Sequence, residues 1–129
     1  MAPRPGLSKA ELEIARLVWG LKACSVRQVH DALPASRNVD FTTVQTYLKR
    51  LEQKGYLKVR LENRTRIYTP RVKPQTVIRE TVDDLVTRLF GGDAMPLMQH
   101  LVEETDFSGQ DIQKLRELLN RLEGDSDDS

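Results

Sequence analysis

The stretch DFTTVQTYLKRLEQKGYL, from Asp40 to Leu57, carries polar side chains of the kind that bind nucleic acids. On a helical wheel with about 100° per residue, four apolar residues form one stripe, as in a helix that faces a core: Val44, Tyr47, Leu48 and Leu51. The opposite side carries short hydroxyls, amides and cations: Thr42, Thr43, Gln45, Thr46, Lys49, Arg50 and Gln53. A merely solvated face is usually rich in Glu and Lys, so this face is predicted to contact a ligand.

These side chains suit the major groove of B-DNA, which is about 12 Å wide and accepts one α-helix. Threonine can pack its methyl group on a thymine methyl, and glutamine can pair with adenine. Hydroxyls and backbone N–H groups at the start of a helix suit phosphate oxygens. Cations one to two turns along would meet the backbone of the duplex. The pattern therefore predicts DNA binding through Thr42, Thr43, Gln45, Thr46, Lys49 and Arg50.

Two further helices are predicted before this stretch. Ser8 can cap the first, and Glu11 three residues later completes a capping box. The buried stripe of this helix is expected to comprise Leu7, Ile14, Leu17, Val18 and Leu21. Ser25 can cap the second helix, and Pro34 is poorly suited to continue it. The core-facing residues of the second helix are expected to be Val26, Val29 and Leu33.

A β-hairpin is predicted after the third helix, which runs from about Phe41 to Lys54 and ends at Gly55. Apolar and charged residues alternate over 57–62, as in a half-buried strand, and 63–65 is predicted to be a turn. The hairpin has three cations that could reach a flanking phosphate or the minor groove: Arg60, Arg64 and Arg66. Helices joined by a tight turn and followed by a basic hairpin are typical of a winged helix-turn-helix domain. That domain is predicted over 8–73, behind a flexible leader at 1–7.

Three short amphipathic helices are predicted over 74–123, with a break at Gly91-Gly92 and a capping box at Ser108 and Asp111. Helices this short have too little mass for an independent core, so their apolar stripes are expected to pack against a second copy of the chain. The candidate dimerisation residues are Ile78, Val82, Leu85, Leu89, Leu97, Leu101, Ile112, Leu115, Leu119 and Leu122. The acidic tail at 124–129 is expected to be disordered.

The net charge of +1 conceals a division between the two halves of the chain. Residues 1–73 contain 15 Lys and Arg against 6 Asp and Glu, a net charge of +9. Residues 74–129 contain 5 Lys and Arg against 13 Asp and Glu, a net charge of −8. The basic half is therefore expected to meet a polyanion, and the acidic half to serve a different purpose.

Composition and motifs exclude several classes of protein. No apolar run approaches the roughly 18–20 residues that span a bilayer, and MAPRPG has no apolar signal region. The single cysteine, Cys24, rules out an intrachain disulfide framework and is expected to be buried and structural. These features favour the cytoplasm. There is no phosphate-binding glycine loop, paired-histidine zinc motif or nucleophile elbow, so we expect neither an enzyme nor a cofactor or metal site.

Three segments of the chain resemble the penicillinase-repressor family of dimeric bacterial winged-helix repressors: ELEIARLVW (11–19), FTTVQTYLKRLEQKGYL (41–57) and RIYTP (66–70). The resemblance spans roughly 8–122, including the Gly91-Gly92 break and the helix opening SGQDIQKLRELL. It implies that the third helix enters the major groove of a dyad operator and that the C-terminal helices intertwine to form the dimer. By position it points to Thr42, Thr43, Gln45 and Thr46 for the groove, and to Arg50, Arg64 and Arg66 for the backbone.

The family has two mechanisms that release its repressors from DNA, and the residues that each mechanism requires are absent at the matching positions of this chain. In the antibiotic-responsive members a sensor-linked protease cuts an Asn-Phe bond, and the matching position here is His100-Leu101. The copper-responsive branch ends in closely spaced cysteines, and Cys24 is the one cysteine in this chain.

The sequence thus predicts a mainly α protein with a small β-hairpin, comprising a winged helix-turn-helix domain and a C-terminal helical dimerisation domain. Its predicted function is that of a homodimeric transcriptional repressor that binds double-stranded DNA. Two alternatives stay open. The first is a winged-helix module for protein–protein interaction. The second is a metal-responsive repressor, since Met95, Met98 and His100 offer thioether and imidazole groups that can hold Cu(I).

Overall fold

The computed structural model describes residues 4–127, apart from the side chains of 126 and 127. Six α-helices and one hairpin follow each other along the chain, with a single turn of 3₁₀ helix at Ala35–Arg37. The elements are α1 (Lys9–Leu21), α2 (Val26–Ala32), α3 (Phe41–Gln53), β1 (Leu57–Glu62), β2 (Thr65–Pro70), α4 (Pro74–Phe90), α5 (Met95–Glu104) and α6 (Gly109–Asp127). The predicted order of three helices, a hairpin and three further helices is confirmed.

The capping box predicted for α1 is present. Ser8 Oγ accepts a hydrogen bond from the backbone N–H of Glu11 at 3.1 Å, and Glu11 Oε1 accepts one from the backbone N–H of Ser8 at 2.8 Å. The predicted apolar stripe is buried at Ile14 and Val18 but not at its end. There Leu21 is 42% exposed, and the prediction that it belongs to the core is wrong.

The helix-turn-helix pair consists of α2 and α3. A second capping box begins α2, because Ser25 Oγ accepts from the backbone N–H of Gln28 at 3.2 Å and Gln28 Oε1 accepts from the backbone N–H of Ser25 at 2.8 Å. The helix ends at Ala32, since Leu33 takes the extended conformation that a following proline favours. Helix α3 then buries three residues completely: Val44, Leu48 and Leu51.

The hairpin pairs β1 with β2 in antiparallel register, with Leu57 opposite Pro70 and Glu62 opposite Thr65. Its turn has two residues, Asn63 and Arg64, with φ of 50° and 67°. Positive φ at both central positions is the type I′ arrangement, which matches the twist of the two strands. The turn predicted at 63–65 is therefore one residue shorter, because Thr65 already pairs in β2.

Cys24, in the turn between α1 and α2, forms backbone hydrogen bonds with strand β2. Its backbone N–H donates to Tyr68 O at 3.0 Å, and the Tyr68 N–H donates to Cys24 O at 2.8 Å. Both side chains are buried in the core that α1, α2, α3 and the hairpin share, which comprises Ile14, Ala15, Val18, Cys24, Val26, Val29, Val44, Leu48, Leu51, Tyr56, Leu57, Tyr68 and Val77.

The leader expected to be flexible is held in place from Arg4 onward. Tyr56 Oη donates to Pro5 O at 2.7 Å, and Lys54 Nζ donates to Gly6 O at 3.0 Å. The Arg4 guanidinium forms an ion pair with Glu80 and lies over the Tyr56 ring, 5.5 Å from its centroid. Residues 4–7 thus contact the winged-helix domain in the structure, while 1–3 lie outside the described residues.

The chain divides into two compact units at the junction of Val82 and Asp83, inside α4. In the second unit, every side chain described between 83 and 125 is exposed or half-buried. Helix α6 continues to Asp127, into the tail that the sequence predicts to be disordered, and 128–129 lie outside the described residues. Between residues 4 and 127, no helix combines the length and apolar character needed to cross a membrane.

Candidate nucleic-acid interface

Helix α3 turns its polar face outward because its apolar face is anchored. Val44, Leu48 and Leu51 are fully buried, which leaves the opposite side of the helix to solvent. The structure brings most of the predicted contact residues together on that side as exposed side chains: Thr42, Gln45, Thr46, Lys49 and Arg50. Thr43 is half-buried at the edge of the same face.

Thr46 differs from the other groups on this face in how its hydroxyl is used. Thr46 Oγ1 donates to the Thr42 carbonyl one turn earlier, at 3.0 Å. The hydroxyl hydrogen is therefore occupied within the helix. What Thr46 presents to an outside partner is its methyl group and the remaining lone pairs of its oxygen.

Arg50 is supported by Tyr47, which the sequence pattern assigned only to the apolar stripe. The Arg50 guanidinium carbon lies 5.8 Å from the centroid of the Tyr47 ring. This is the range of a cation–π contact, which restricts where the arginine side chain can lie. The aromatic residue three positions earlier is the sequence signal for this contact, since residues i and i+3 are neighbours on a helix.

The start of α3 is positioned by His30, a half-buried residue of α2. The ring nitrogen Nε2 lies 2.8 Å from Val39 O, and the ring packs edge-on against Phe41 with centroids 6.0 Å apart. These contacts hold the loop that leads into α3. At the N-terminus of the helix the first N–H groups have no intrahelical acceptor, and the side chain of the N-cap residue Asp40 accepts none of them. They can bind a phosphate oxygen.

The three arginines of the hairpin do not share one surface. Side chains directly opposite in the register lie on the same face of the ribbon, and Leu61 pairs with Arg66, whereas Arg60 pairs with Ile67. Arg60 and Arg66 therefore point to opposite faces, and Arg64 lies between them in the turn. Arg60 also has an ion-pair partner, Glu62, with Nη2 and Oε2 separated by 3.3 Å.

Lys54, the last cation of the stretch that begins at Asp40, is withdrawn from the outward face. Its Nζ atom lies 2.7 Å from Glu11 Oε1. Burial by itself raises the pKa of Glu11, but the hydrogen bonds from Lys54 and Ser8 outweigh burial and hold the pKa below its ordinary value of 4.5. The Glu11 carboxylate is thus ionised near neutral pH, and its ion pair with Lys54 fastens the end of α3 to the start of α1.

Cys24 fits the structural role predicted for it. Its side chain is fully buried, and that burial raises the pKa of the thiol to about 11. The neutral thiol is a poor nucleophile and a poor metal ligand. Within the described part of the chain, no three His, Cys, Asp or Glu side chains cluster in a way that could hold a metal ion. Met95 and Met98 are 62% and 49% exposed.

A second set of exposed side chains is apolar and lies mainly on α4, α5 and α6. Of the ten residues predicted for dimerisation, Leu97 is half-buried. The other nine are exposed in the single chain: Ile78, Val82, Leu85, Leu89, Leu101, Ile112, Leu115, Leu119 and Leu122. Val102 and Leu118, exposed at 61% and 42%, extend this set. In the single chain these apolar side chains are left largely in water.

The chain is similar to known proteins over most of its length. The family model for penicillinase repressors matches residues 7–121. The penicillinase repressor of Bacillus licheniformis is 28% identical over 115 residues, covering 89% of this chain and 90% of the relative. The methicillin resistance regulatory protein MecI of Mammaliicoccus sciuri is 25% identical, covering 89% of this chain and 94% of the relative. Among solved structures, the DNA-binding domain of the repressor BlaI is 32% identical, with a TM-score of 0.50, covering 57% of this chain and 90% of that one.

Proposed function

The chain belongs to the penicillinase repressor family, and on that premise we propose that it represses transcription as a homodimer bound to a dyad operator. The family is one of transcriptional repressors, not of enzymes. The observation that carries the proposal is the exposed face of α3. This face presents amide, hydroxyl and cationic side chains, and the opposite face of the helix is a fully buried apolar stripe.

In this proposal α3 lies in the major groove. Gln45 is placed on the exposed face, where its amide can pair with adenine, and Thr42 and Thr46 offer methyl groups for thymine. Lys49 and Arg50 follow one turn later and neutralise phosphates, with Arg50 held by the Tyr47 ring. The relative named BlaI has a DNA-binding domain that aligns with just over half of this chain, which supports the same use of the domain here.

In this proposal the hairpin contacts the phosphate backbone of the DNA beside α3. Arg64 in the turn and Arg66 on β2 are exposed and, in the structure, have no acidic side chain within 4.0 Å among the described residues. Arg60 contributes less, because Glu62 already compensates part of its charge. Phosphate contacts of this kind fix the register of a protein on the duplex without reading its sequence.

Homodimerisation would bury the apolar surface of α4, α5 and α6. The side chains of the second unit described between 83 and 125 are exposed or half-buried, so a single copy leaves its leucines largely in water. Packing two copies together removes that area from water, with a gain of about 25 cal/mol per Å². A two-fold axis would also place two α3 helices on one face of a duplex, as a dyad operator requires.

The test is selection of bound duplexes from a random pool with the full chain. We expect a recovered consensus with two inverted half-sites whose centres lie about one helical turn, or a multiple of it, apart. The Gln45→Ala chain should recover a consensus that is degenerate at one position in each half-site. Recovery of unrelated sequences by the unmodified chain would overturn the proposal, because it would show binding without base readout.

A further inference from the structure

Leu61 is the most exposed of the large apolar side chains in the described part of the chain, at 73%. It lies near the tip of the hairpin, two residues before Asn63. The next most exposed leucines are Leu89, Leu122 and Leu119, which lie on α4 and α6 and were assigned above to dimerisation. Leu61 is far from them in sequence and belongs to the winged-helix unit.

Leu61 lies on the face of the hairpin that packs against the core. The packing occurs at the end of the hairpin away from the turn. Leu57 and Tyr68 lie on this face and are 0% and 1% exposed. Leu61 lies on the same face because side chains alternate along a strand. At this end of the ribbon the core no longer covers the face, so Leu61 and its register partner Arg66 project beyond it.

The acidic neighbour Glu62 lies on the opposite face of the hairpin, where it pairs with Arg60, so the charged groups beside Leu61 on its own face and at the tip are arginines. Arg66 on β2 lies directly opposite Leu61. Arg64, with a φ of 67°, is the second residue of the two-residue turn at the tip of the hairpin. An apolar protein partner would leave these two charges unpaired at a buried interface, which is costly. A polyanion with a less polar strip between two rows of negative charge could contact Leu61 with the strip and pair both arginines with the charges. The minor groove of DNA, with phosphates on both sides and sugar and base edges between them, is such a partner.

We propose that Leu61 inserts into the minor groove beside the half-site, with Arg64 and Arg66 on its flanking phosphates. The proposal rests on the DNA-binding function proposed above and adds a second, minor-groove reading to it. Leucine is one of the apolar side chains that wedge against base steps in minor grooves. The exocyclic amino group of guanine projects into that groove. Against Leu61 this donor would lose its water without gaining an acceptor, so the contact favours A·T pairs.

The first experiment measures the affinity of the full chain for its selected duplex. Leu61→Ala should bind about tenfold more weakly, with an unchanged slope of log K against log salt, because no phosphate contact is lost. Leu61→Met should restore most of the affinity. Leu21→Ala, which truncates an exposed leucine at the end of α1, is the matched control and should bind like the unmodified chain. Thermal unfolding of each variant shows that the loss is not one of folding.

The second experiment changes the flanking base pairs in blocks of three from A·T to G·C to inosine·C. Inosine keeps the major-groove edge of guanine and lacks only the minor-groove amino group. We expect G·C to weaken binding and inosine·C to restore it, with both effects lost in Leu61→Ala. Equal binding of Leu61→Ala and the unmodified chain, or failure of inosine·C to restore affinity, would overturn the inference. If the unmodified chain selects no duplex at all, the proposed function itself fails.

Discussion

Glu11 and Lys54 join the start of α1 to the end of α3 through one ion pair, with Glu11 Oε1 and Lys54 Nζ separated by 2.7 Å. The carboxylate is nearly inaccessible, with a side-chain exposure of 3%, and it also accepts the capping hydrogen bond from Ser8 N. Lys54 donates in addition to Gly6 O. One buried carboxylate thus joins the end of α3 to the first helix of the domain.

Glu11→Gln should destabilise the winged-helix unit near neutral pH and have less effect in acid. The folded pKa of Glu11 is held below 4.5, so its ionised form stabilises the fold above that pH and loses the contribution as the pH falls through the folded pKa. The free energy of unfolding by urea, measured for both chains at pH 7 and pH 3, should show a difference that narrows in acid. A difference that widens would contradict the assigned ion pair.

Glu11→Ala should cost about 2–3 kcal/mol at pH 7, because it leaves the Ser8 N–H without its acceptor and Lys54 without its carboxylate partner. Glu13→Ala is the matched control. Glu13 pairs with Arg37 at 2.8 Å, but the two side chains are 37% and 47% exposed, so the loss should stay below about 1 kcal/mol. Equal losses would mean that burial does not distinguish the two pairs.

Arg64→Gly should stabilise the hairpin while weakening DNA binding. Arg64 has a φ of 67°, a conformation that costs a residue with a Cβ about 1 kcal/mol and glycine little. We expect the free energy of unfolding to rise by about 0.5–1 kcal/mol. Affinity should fall by a similar factor for operator and scrambled duplexes, since a phosphate contact carries no sequence information. A loss confined to the operator would assign base readout to Arg64.

Thr46 separates methyl contacts from hydroxyl contacts. Because its hydroxyl hydrogen is donated to Thr42 O, Thr46→Val should keep most of the discrimination between operator and scrambled DNA. Thr46→Ser removes the methyl group and should lower discrimination by about 1 kcal/mol, and Gln45→Ala by about 1–3 kcal/mol. The reverse order of Val and Ser would show that the hydroxyl, not the methyl group, reads the base.

Truncation after Val82 should leave a folded monomer, because the first compact unit ends there. Truncation after Lys73 removes Val77, which is 3% exposed in the core, and Glu80, the partner of Arg4. The shorter fragment should therefore be about 2 kcal/mol less stable. Light scattering and urea unfolding test both points. A dimer at 1–82 would place the dimer interface in the winged-helix unit.

Much of the fold is predictable because its signals are local. The capping boxes at Ser8 and Ser25 and the buried stripe of α3 depend on residues three or four positions apart, which a helix brings together by itself. The hairpin follows from alternation and a turn. The exposed face of α3 is predictable for the same reason, since the buried stripe determines the opposite side.

The relations that sequence reasoning missed are non-local. Lys54 finds Glu11 across 43 positions, and Cys24 pairs with Tyr68 across 44. Periodicity carries no information about such partners. Leu21 shows the converse limit, because its helical phase matches the core stripe, but its side chain at the end of α1 is 42% exposed.

The central claim, that the basic half binds DNA through α3 and the hairpin, is tested most directly by the salt dependence of operator binding. Fluorescence anisotropy of a labelled selected duplex, titrated with the full chain at several salt concentrations, gives the slope of log K against log salt. If about six phosphates are neutralised per dimer, the slope should be near −5, and a scrambled duplex should bind more weakly at every salt concentration. A slope near zero, or equal affinity for the two duplexes, would contradict the account.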